Sequence, residues 1–219
     1  MASPVYYNIQ NNTFWLSPQR CIFWEQQQSL IVSDLHLGKT GHFRKMGIPV
    51  PQAVYKEDLQ RLFSEIQYYK PKQLVIVGDL FHSKENKELQ LFVKWRNDLP
   101  YLRFILVKGN HDILKNEWYE AANIEVVEQQ LCIANFIFTH DVTTVNCTDF
   151  EKPYIFSGHI HPGVVIKGLG KQALSFPCYH FSKDSAIIPA FSKFTGNYIT
   201  PKQPADAVFA IINQSVIRV

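Results

Sequence analysis

The sequence predicts an α/β fold in which two sheets pack face to face, with helices on the outside. Two observations predict it. Through the amino-terminal half, short apolar runs alternate with amphipathic helical segments, a pattern typical of parallel strands joined by right-handed crossovers. Strand-like segments dominate the first thirty residues and the chain after Tyr154, so strands are added at both ends. Together these features favour a sandwich of two mixed sheets.

Length and composition are consistent with one domain covering residues 1–219. Hydrophobic residues make up 46% of the chain and charged residues 19%, which is enough apolar material for a large core and unlike a disordered chain. The net charge of +3 is mildly basic. This balance is compatible with a polyanionic substrate but does not by itself indicate one.

Cysteine usage and the amino terminus indicate a cytoplasmic protein. The cysteines form no C-x-x-C pair and no disulfide framework, so we expect free thiols in a reducing compartment. The amino terminus lacks the basic and apolar regions of a signal peptide, and no apolar run approaches the length of a membrane span, so we expect no membrane association. The cysteines are Cys21, Cys132, Cys147 and Cys178.

The elements follow in order along the chain. Aromatic and β-branched residues predict strands at 5–9, 13–16 and 21–24, separated by turn-forming residues. Apolar residues at helical spacing predict a helix over about residues 52–69, which stops before Pro71, and further helices near 85–98 and 114–121. Continuous apolar runs at 74–77 and 104–107 predict buried strands.

The first buried strand of this alternating region ends in a candidate metal-binding pair. The run Ile31-Val32-Ser33 leads into Asp34 and His36. If the strand continued, these two side chains would point the same way, because strand side chains alternate in direction. A carboxylate oxygen and an imidazole nitrogen aimed at one point can be two ligands of one divalent cation.

Other predicted strands end in residues of the same chemical type. Taken alone, each acid could be a helix cap or turn residue, and each histidine a core or surface residue. Five coincident strand ends favour a functional constellation, because sites in α/β proteins assemble where strands end. The ends carry Asp34 and His36, then Asp79, then Asn110 and His111, then His140, then His159 and His161.

This ordered set resembles the motifs of the calcineurin-like metallophosphoesterases: D-x-H at Asp34, G-D at Gly78, G-N-H-D at Gly109, a lone His140 and G-H-x-H at Gly158. The resemblance implies a four-layer α-β-β-α sandwich of two mixed sheets flanked by helices, with a dinuclear metal centre. It implies that the first metal takes Asp34, His36 and His161. The second takes Asn110, His140 and His159, with Asp79 bridging the two and His111 above them.

The chemistry of phosphoester hydrolysis explains these residue types. Two cations about 4 Å apart can hold one hydroxide between them as the nucleophile and neutralise a phosphoryl group. A bridge such as Asp79 needs two anionic oxygens, whereas Asn110 adds an oxygen without charge. His111 can act as general acid towards the leaving group, with Asp112 as a partner that orients it. The mixed nitrogen and oxygen donors fit Mn, Fe or Zn better than Mg or Ca, and the spacing of the residues does not choose among the three. We expect two divalent ions, with Mn first and Fe or Zn as alternatives.

Further segments are similar to the bacterial DNA ligase-associated metallophosphoesterases. They are residues 37–51, Gly78 to Ser83 and 188–196, although Ser192-Lys193 stands where a glycine and a small residue are expected. The resemblance implies a DNA phosphodiesterase or endonuclease acting in repair, with DNA as substrate and DNA ligase and other repair enzymes as functional partners. Candidate substrate-binding residues are Lys39, His42, Arg44, Lys45 and His82.

Alternatives remain open at this point. The same metal site would serve a phosphatase or pyrophosphohydrolase that acts on small nucleotides. A non-catalytic, metal-stabilised binding module is a third possibility, although it would not need His111. The loop that carries Lys39, His42, Arg44 and Lys45 can equally be a solvated loop. His82 can be a capping residue, and His180 is interpreted as structural.

Overall fold

The computed structural model describes residues 3–38, 53–81, 87–146, 151–168 and 172–219, with side chains from residues 56 and 89 onward in the second and third ranges. The helices are α1 (Ala53–Tyr69), α2 (Lys87–Asn97) and α3 (Asn116–Ala121). The strands are β1 (Val5–Ile9), β2 (Asn12–Leu16), β3 (Ile22–Trp24), β4 (Ser29–Ser33), β5 (Gln73–Val77), β6 (Arg103–Val107), β7 (Ile124–Val127), β8 (Gln130–Ile133), β9 (Phe136–Thr139), β10 (Tyr154–Ser157), β11 (Pro162–Lys167), β12 (Ala173–Phe181), β13 (Ser185–Ile187), β14 (Tyr198–Ile199), β15 (Ala207–Ile212) and β16 (Ser215–Arg218).

The first sheet contains β1 to β7 in chain order. Strands β1 to β4 are antiparallel neighbours, and β4 to β7 are parallel. The parallel part is the predicted alternating region, with α1 after β4, α2 after β5 and α3 after β6. As a result, the carboxyl ends of β4, β5 and β6 lie side by side at one edge.

The second sheet runs β14-β11-β12-β13-β10-β9-β8, and β15 and β16 extend it from β12. It is also mixed, since β9, β10 and β13 are parallel and most other pairs are antiparallel. The parallel alignment of β9 and β10 brings the segments after Thr139 and Ser157 together. These segments carry the histidines of the second half of the constellation.

Alternate residues of the parallel strands face two different cores. Val32, Ile76 and Leu106 pack under the helices, together with Leu62 and Phe92. Their neighbours Ile31, Val75, Ile105 and Val107 face the second sheet, where a second cluster includes Phe138, Phe156 and Tyr179. Burial on both faces explains why these strands are continuous apolar runs.

The predicted class of two mixed sheets with flanking helices is confirmed. All three α-helices of the described ranges pack on the outer face of the first sheet, and those ranges include no α-helix over the second sheet. One connection was not predicted: β7 and β8 are separate strands joined at residues 128–129.

Among the described helices, none combines the length and apolar character needed to cross a bilayer. Cys21, Cys132 and Cys178 are free thiols, whereas Cys147 lies outside the described residues.

Candidate metal centre

The candidate site lies where the two sheets meet, at the carboxyl ends of the first sheet's parallel strands. The condition for the predicted common direction of Asp34 and His36, a strand that continues through them, is not met here. Strand β4 ends at Ser33, so Asp34 and His36 are not successive outward residues of a strand. Both have left-handed backbones, with φ of 50° and 47°, and Asp79 follows β5 in the same way at 45°. Such conformations are uncommon for residues with a side chain and concentrate at functional sites.

Backbone hydrogen bonds hold these strained residues in place. The Asp34 amide donates to the carbonyl of Gly78 at 3.2 Å, and the His36 amide donates to that of Asp79 at 2.8 Å. The His159 amide, from the second sheet, donates to Asp34 Oδ2 at 3.1 Å. The Asp34 carboxylate therefore ties the two halves of the constellation together.

The first donor set contains Asp34, His36 and His161. His161 Nε2 lies 3.5 Å from Asp34 Oδ1 and 3.4 Å from His36 Nε2. Ligand atoms that share one cation at about 2.1 Å are themselves roughly 3–3.5 Å apart in a tetrahedral arrangement. The spacing of this set is therefore that of atoms that could share a cation.

The second donor set gathers around His140. Its Nε2 atom lies 3.0 Å from Asn110 Oδ1 and 3.0 Å from His159 Nδ1. These residues follow the ends of β6, β9 and β10, so the set forms only when both sheets are folded and packed. His140, identified in the sequence without any flanking motif, lies at the centre of this set.

Asp79 lies between the two sets. Its Oδ2 atom is 3.8 Å from His36 Nε2 in the first set and 3.6 Å from His140 Nε2 in the second. Asp34 also lies near both sets, since its Oδ1 atom is 3.7 Å from His140 Nδ1. This second contact of Asp34 was not predicted from the sequence. Two buried carboxylates thus separate the two groups of histidines.

The donors fit divalent cations. Asp34 Oδ1 is buried and, within the described part of the chain, accepts no hydrogen bond. Burial alone would raise the pKa of the Asp34 carboxyl, but His161, His140 and His36 outweigh burial and lower that pKa below its ordinary value. A buried carboxylate that stays ionised and keeps a free lone pair is a suitable ligand for a cation.

The loop after β6 carries His111 and Asp112. The His111 amide donates to Asp79 Oδ1 at 2.9 Å, and the half-buried His111 ring lies 5.6 Å from that of His36 between centroids. Asp112 accepts backbone hydrogen bonds from Phe81 at 3.1 Å and Gly109 at 3.0 Å. Burial, opposed by these bonds, raises the pKa of Asp112 to about 7. Asp112 therefore braces the loops of two neighbouring strands.

Each of three motif glycines lies against a side chain of the site. A Cβ atom on Gly78 would lie 1.8 Å from His140 Nδ1, and one on Gly109 would lie 2.2 Å from Asp79 Oδ1. On Gly158 it would lie 2.5 Å from Asp34 Oδ2. These glycines were noted as parts of motifs, but their role as packing surfaces for the donors becomes visible only in the fold.

The described residues of the site form a buried floor and an exposed rim. Asp34, His36, Asp79 and His140 are buried, whereas His161 and His111 are half-buried and Asn110 and His159 are exposed. A ligand can therefore approach from the rim side. The structure brings together all seven predicted metal ligands and both predicted catalytic residues. The predicted substrate-binding residues Lys39, His42, Arg44, Lys45 and His82 lie outside the described residues.

Comparison with known proteins agrees with this architecture. Residues 29–161 match the Metallophos family, the calcineurin-like phosphoesterases, and the chain belongs to this family. It is therefore a metal-dependent phosphoesterase.

The fold is also that of a solved nuclease. The nuclease MPE of Pseudomonas putida superimposes with a TM-score of 0.83 at 23% identity, covering 99% of this chain and 100% of the other. The phosphoesterase Yfce of E. coli is a looser match, with a TM-score of 0.46 at 15% identity over 87% of this chain and 97% of the other. No curated protein matches the chain.

Proposed function

We propose that this protein is a nuclease that hydrolyses phosphodiester bonds in DNA at a dinuclear metal centre. Asp34, His36 and His161 would hold one cation, Asn110, His140 and His159 the other, and Asp79 would bridge them. The observation that carries the proposal is the position of Asp79 Oδ2 between His36 and His140, at 3.8 and 3.6 Å. When bound, Mn²⁺, or Fe or Zn in its place, supplies a nucleophilic hydroxide and neutralises charge on the phosphoryl group.

The chain's own residues supply the remaining steps. His111 is anchored by its backbone to Asp79 and lies at the half-buried rim, where its ring can give a proton to the departing alkoxide. Asp112 keeps the His111 loop against the loop after β5 through its bonds to Gly109 and Phe81. Asn110 contributes a neutral oxygen, which limits the negative charge that an incoming phosphate meets.

The choice of DNA as substrate has three supports. Asn110 and His159 are exposed at the rim, so a phosphodiester within a long chain can reach these donors. The chain shares its fold with a nuclease of Pseudomonas putida. In the sequence, Lys39, Arg44 and Lys45 follow the candidate ligands Asp34 and His36 by a few positions, and cationic side chains suit phosphate contacts. We further propose that the protein acts in DNA repair with a DNA ligase, in keeping with the ligase-associated segments of the sequence.

Hydrolysis assays with the Mn-loaded protein test the proposal. The substrates are a generic aryl phosphodiester, the matching monoester, a labelled single-stranded and a double-stranded oligonucleotide, and circular single-stranded DNA. We expect cleavage of the diester and of DNA, and opening of the circle would identify endonuclease action. Activity only on the monoester or on small nucleotides would overturn the nuclease proposal and favour a phosphatase or pyrophosphohydrolase.

A histidine variant separates catalysis from metal binding. His111→Ala should keep both metals and lose about 10²–10⁴-fold in rate, the range typical of general acid–base catalysis. His180→Gln removes a buried histidine outside the two donor sets and is the matched control. Equal rates in wild type and His111→Ala would contradict the role of His111 as general acid.

A further inference from the structure

An irregular segment, the strap (residues 188–192), packs alongside the end of β4. Ala190 forms a parallel bridge with Ser33, and the Phe191 amide donates to the Ser33 carbonyl at 2.7 Å. One residue further, the Ser192 amide donates to the carbonyl of Asp34 at 3.3 Å. The strap therefore extends hydrogen bonding beyond β4 and holds the backbone of Asp34, where φ is left-handed.

Two arginines bind the carbonyl groups of the strap. Arg20 Nη1 donates to Ser192 at 2.9 Å and to Ala190 at 3.3 Å. Arg61 Nη2 donates to the carbonyl of Phe191. Ala190, Phe191 and Ser192 are all buried, and buried irregular backbone needs such partners because no ladder satisfies it.

Arg61 is itself fixed from two sides. Its guanidinium lies 4.1 Å from the centre of the Phe191 ring and 2.9 Å from Asp58 Oδ1. The two charged side chains are only 8% and 6% exposed. A buried arginine with a carboxylate, a carbonyl and a ring around it has little freedom, so it can hold the strap at a defined distance from α1.

Satisfying a buried carbonyl does not by itself make a residue functional, and the same fold contains a second arginine for comparison. Arg96, also buried, donates to the carbonyls of Leu99 at 2.7 Å and Asn123 at 3.1 Å, and lies 4.2 Å from the centre of the Phe104 ring. Its partners precede β6 and β7, at the end of the sheet opposite the metal centre. What distinguishes Arg61 is that its partner, Phe191, adjoins the residue whose amide holds Asp34.

We propose that Arg61, supported by Asp58 and Arg20, is a positioning residue that keeps Asp34 in its metal-binding conformation by fixing the strap. This inference rests on the proposed role of Asp34 as a metal ligand. Residues that orient metal ligands typically change metal affinity or activity about 10–100-fold when they are replaced. The effect should fall on the set of Asp34, His36 and His161, and the set around His140 should be less affected.

Metal titration of matched variants tests the proposal. Wild type, Arg61→Met and Arg96→Met are stripped of metal, and Mn²⁺ binding is followed by calorimetry alongside thermal unfolding without metal. We expect both variants to lose stability, but only Arg61→Met to lose about 10–100-fold in the affinity of one of two sites. Arg61→Lys should restore part of that affinity, because an ammonium group can still pair with Asp58 and reach the strap.

Two outcomes keep the inference separate from the proposed function. If wild type binds two Mn²⁺ ions and cleaves the diester, but Arg61→Met and Arg96→Met bind Mn²⁺ equally tightly, the positioning role is overturned and the nuclease proposal stands. If wild type binds no metal, the proposed function fails first. Should Arg61→Met not fold, because the buried Asp58 loses its ion pair with Arg61, Arg20→Gln replaces it, and unchanged metal affinity in that variant overturns the inference.

Discussion

Two histidine–carboxylate groupings in this molecule look alike in composition and differ in geometry. In the metal centre, His161 Nε2 is 3.5 Å from Asp34 Oδ1 and several further donors lie within reach. In the second sheet, the buried His180 lies 2.8 Å from Asp206 Oδ2, an ordinary hydrogen bond between one pair of atoms. The same Asp206 oxygen also accepts the Gln203 amide at 2.8 Å.

The difference shows how a metal site can be told from a structural pair. In the His180–Asp206 pair, the Asp206 Oδ2 atom is already satisfied by two hydrogen-bond partners, the His180 ring and the Gln203 amide. In the first donor set of the metal centre, His161 Nε2 lies 3.4 Å from His36 Nε2 and 3.5 Å from Asp34 Oδ1, spacings too long for good hydrogen bonds, and Asp34 Oδ1 accepts none from the residues that the structure describes. We therefore expect substitutions in the metal centre to change metal binding, and those in the pair to change stability alone.

The largest effect should come from removing the bridging charge. Asp79→Asn keeps the shape of the side chain and tolerates the left-handed backbone, and its Oδ1 atom can still accept the His111 amide. It removes the anionic oxygen between His36 and His140, so we expect weak binding of both metals and a loss of more than about 10³-fold in turnover. Metal analysis that finds two equivalents bound to this variant would contradict the bridging role.

A smaller effect is expected from adding one carbon atom at Gly78. Gly78→Ala would place a methyl group against the His140 ring, 1.8 Å from Nδ1, at a residue with φ of +78°. The ring must move, so the donor set around His140 should lose metal affinity by at least about 10-fold. The left-handed backbone should also cost about 1–2 kcal/mol of stability.

Gly196→Ala provides the matched control, because among the described residues none beyond its chain neighbours lies within 4 Å of its added Cβ atom. The measurements are calorimetric Mn²⁺ titration and thermal unfolding of both variants. If both glycine variants bind metal as wild type does, the His140 ring is not needed where the structure has it.

The sequence allowed much of this site to be predicted, for a physical reason. Its residues follow buried strands, and parallel strands that are neighbours in a sheet must bring their ends together. The continuous apolar runs that contain Val75 and Val107 predicted strands buried on both faces. Asp79 and Asn110 follow these strands and were therefore expected at the same edge of the sheet. The ligand assignments themselves remain predictions that metal analysis must test.

Some backbone conformations and long-range hydrogen bonds of the site have no local signature in the sequence. The left-handed backbones of Asp34 and His36 depend on hydrogen bonds to another strand, not on their own residue types. The bond from Arg20 to Ser192 spans 172 positions of the chain, and nothing near Arg20 in the sequence indicates it. Such contacts are fixed only when both sheets and α1 have packed.

The smallest effect should come from the pair in the second sheet. Burial alone would raise the pKa of Asp206, but the Gln203 amide and His180 outweigh it and lower that pKa below its ordinary value of 3.8. An acid with a lowered pKa in the folded state stabilises the protein above its unfolded pKa and loses that contribution as pH falls through the folded pKa. Asp206→Asn should therefore reduce Tm at neutral pH by a few degrees, since about 1 kcal/mol shifts the Tm of a domain of this size by roughly 2–4 °C.

The difference in Tm between wild type and Asp206→Asn should shrink as pH is lowered below about 4, where the wild-type carboxylate is also neutralised. Mn²⁺ affinity and diester hydrolysis should be unchanged at neutral pH, because neither residue of the pair belongs to a donor set that could hold a metal within the described ranges of the chain. Thermal unfolding across pH, with metal titration at pH 7, measures both quantities. A loss of metal affinity in this variant would mean that the two groupings are coupled through β12 and β13, and that geometry alone does not separate them.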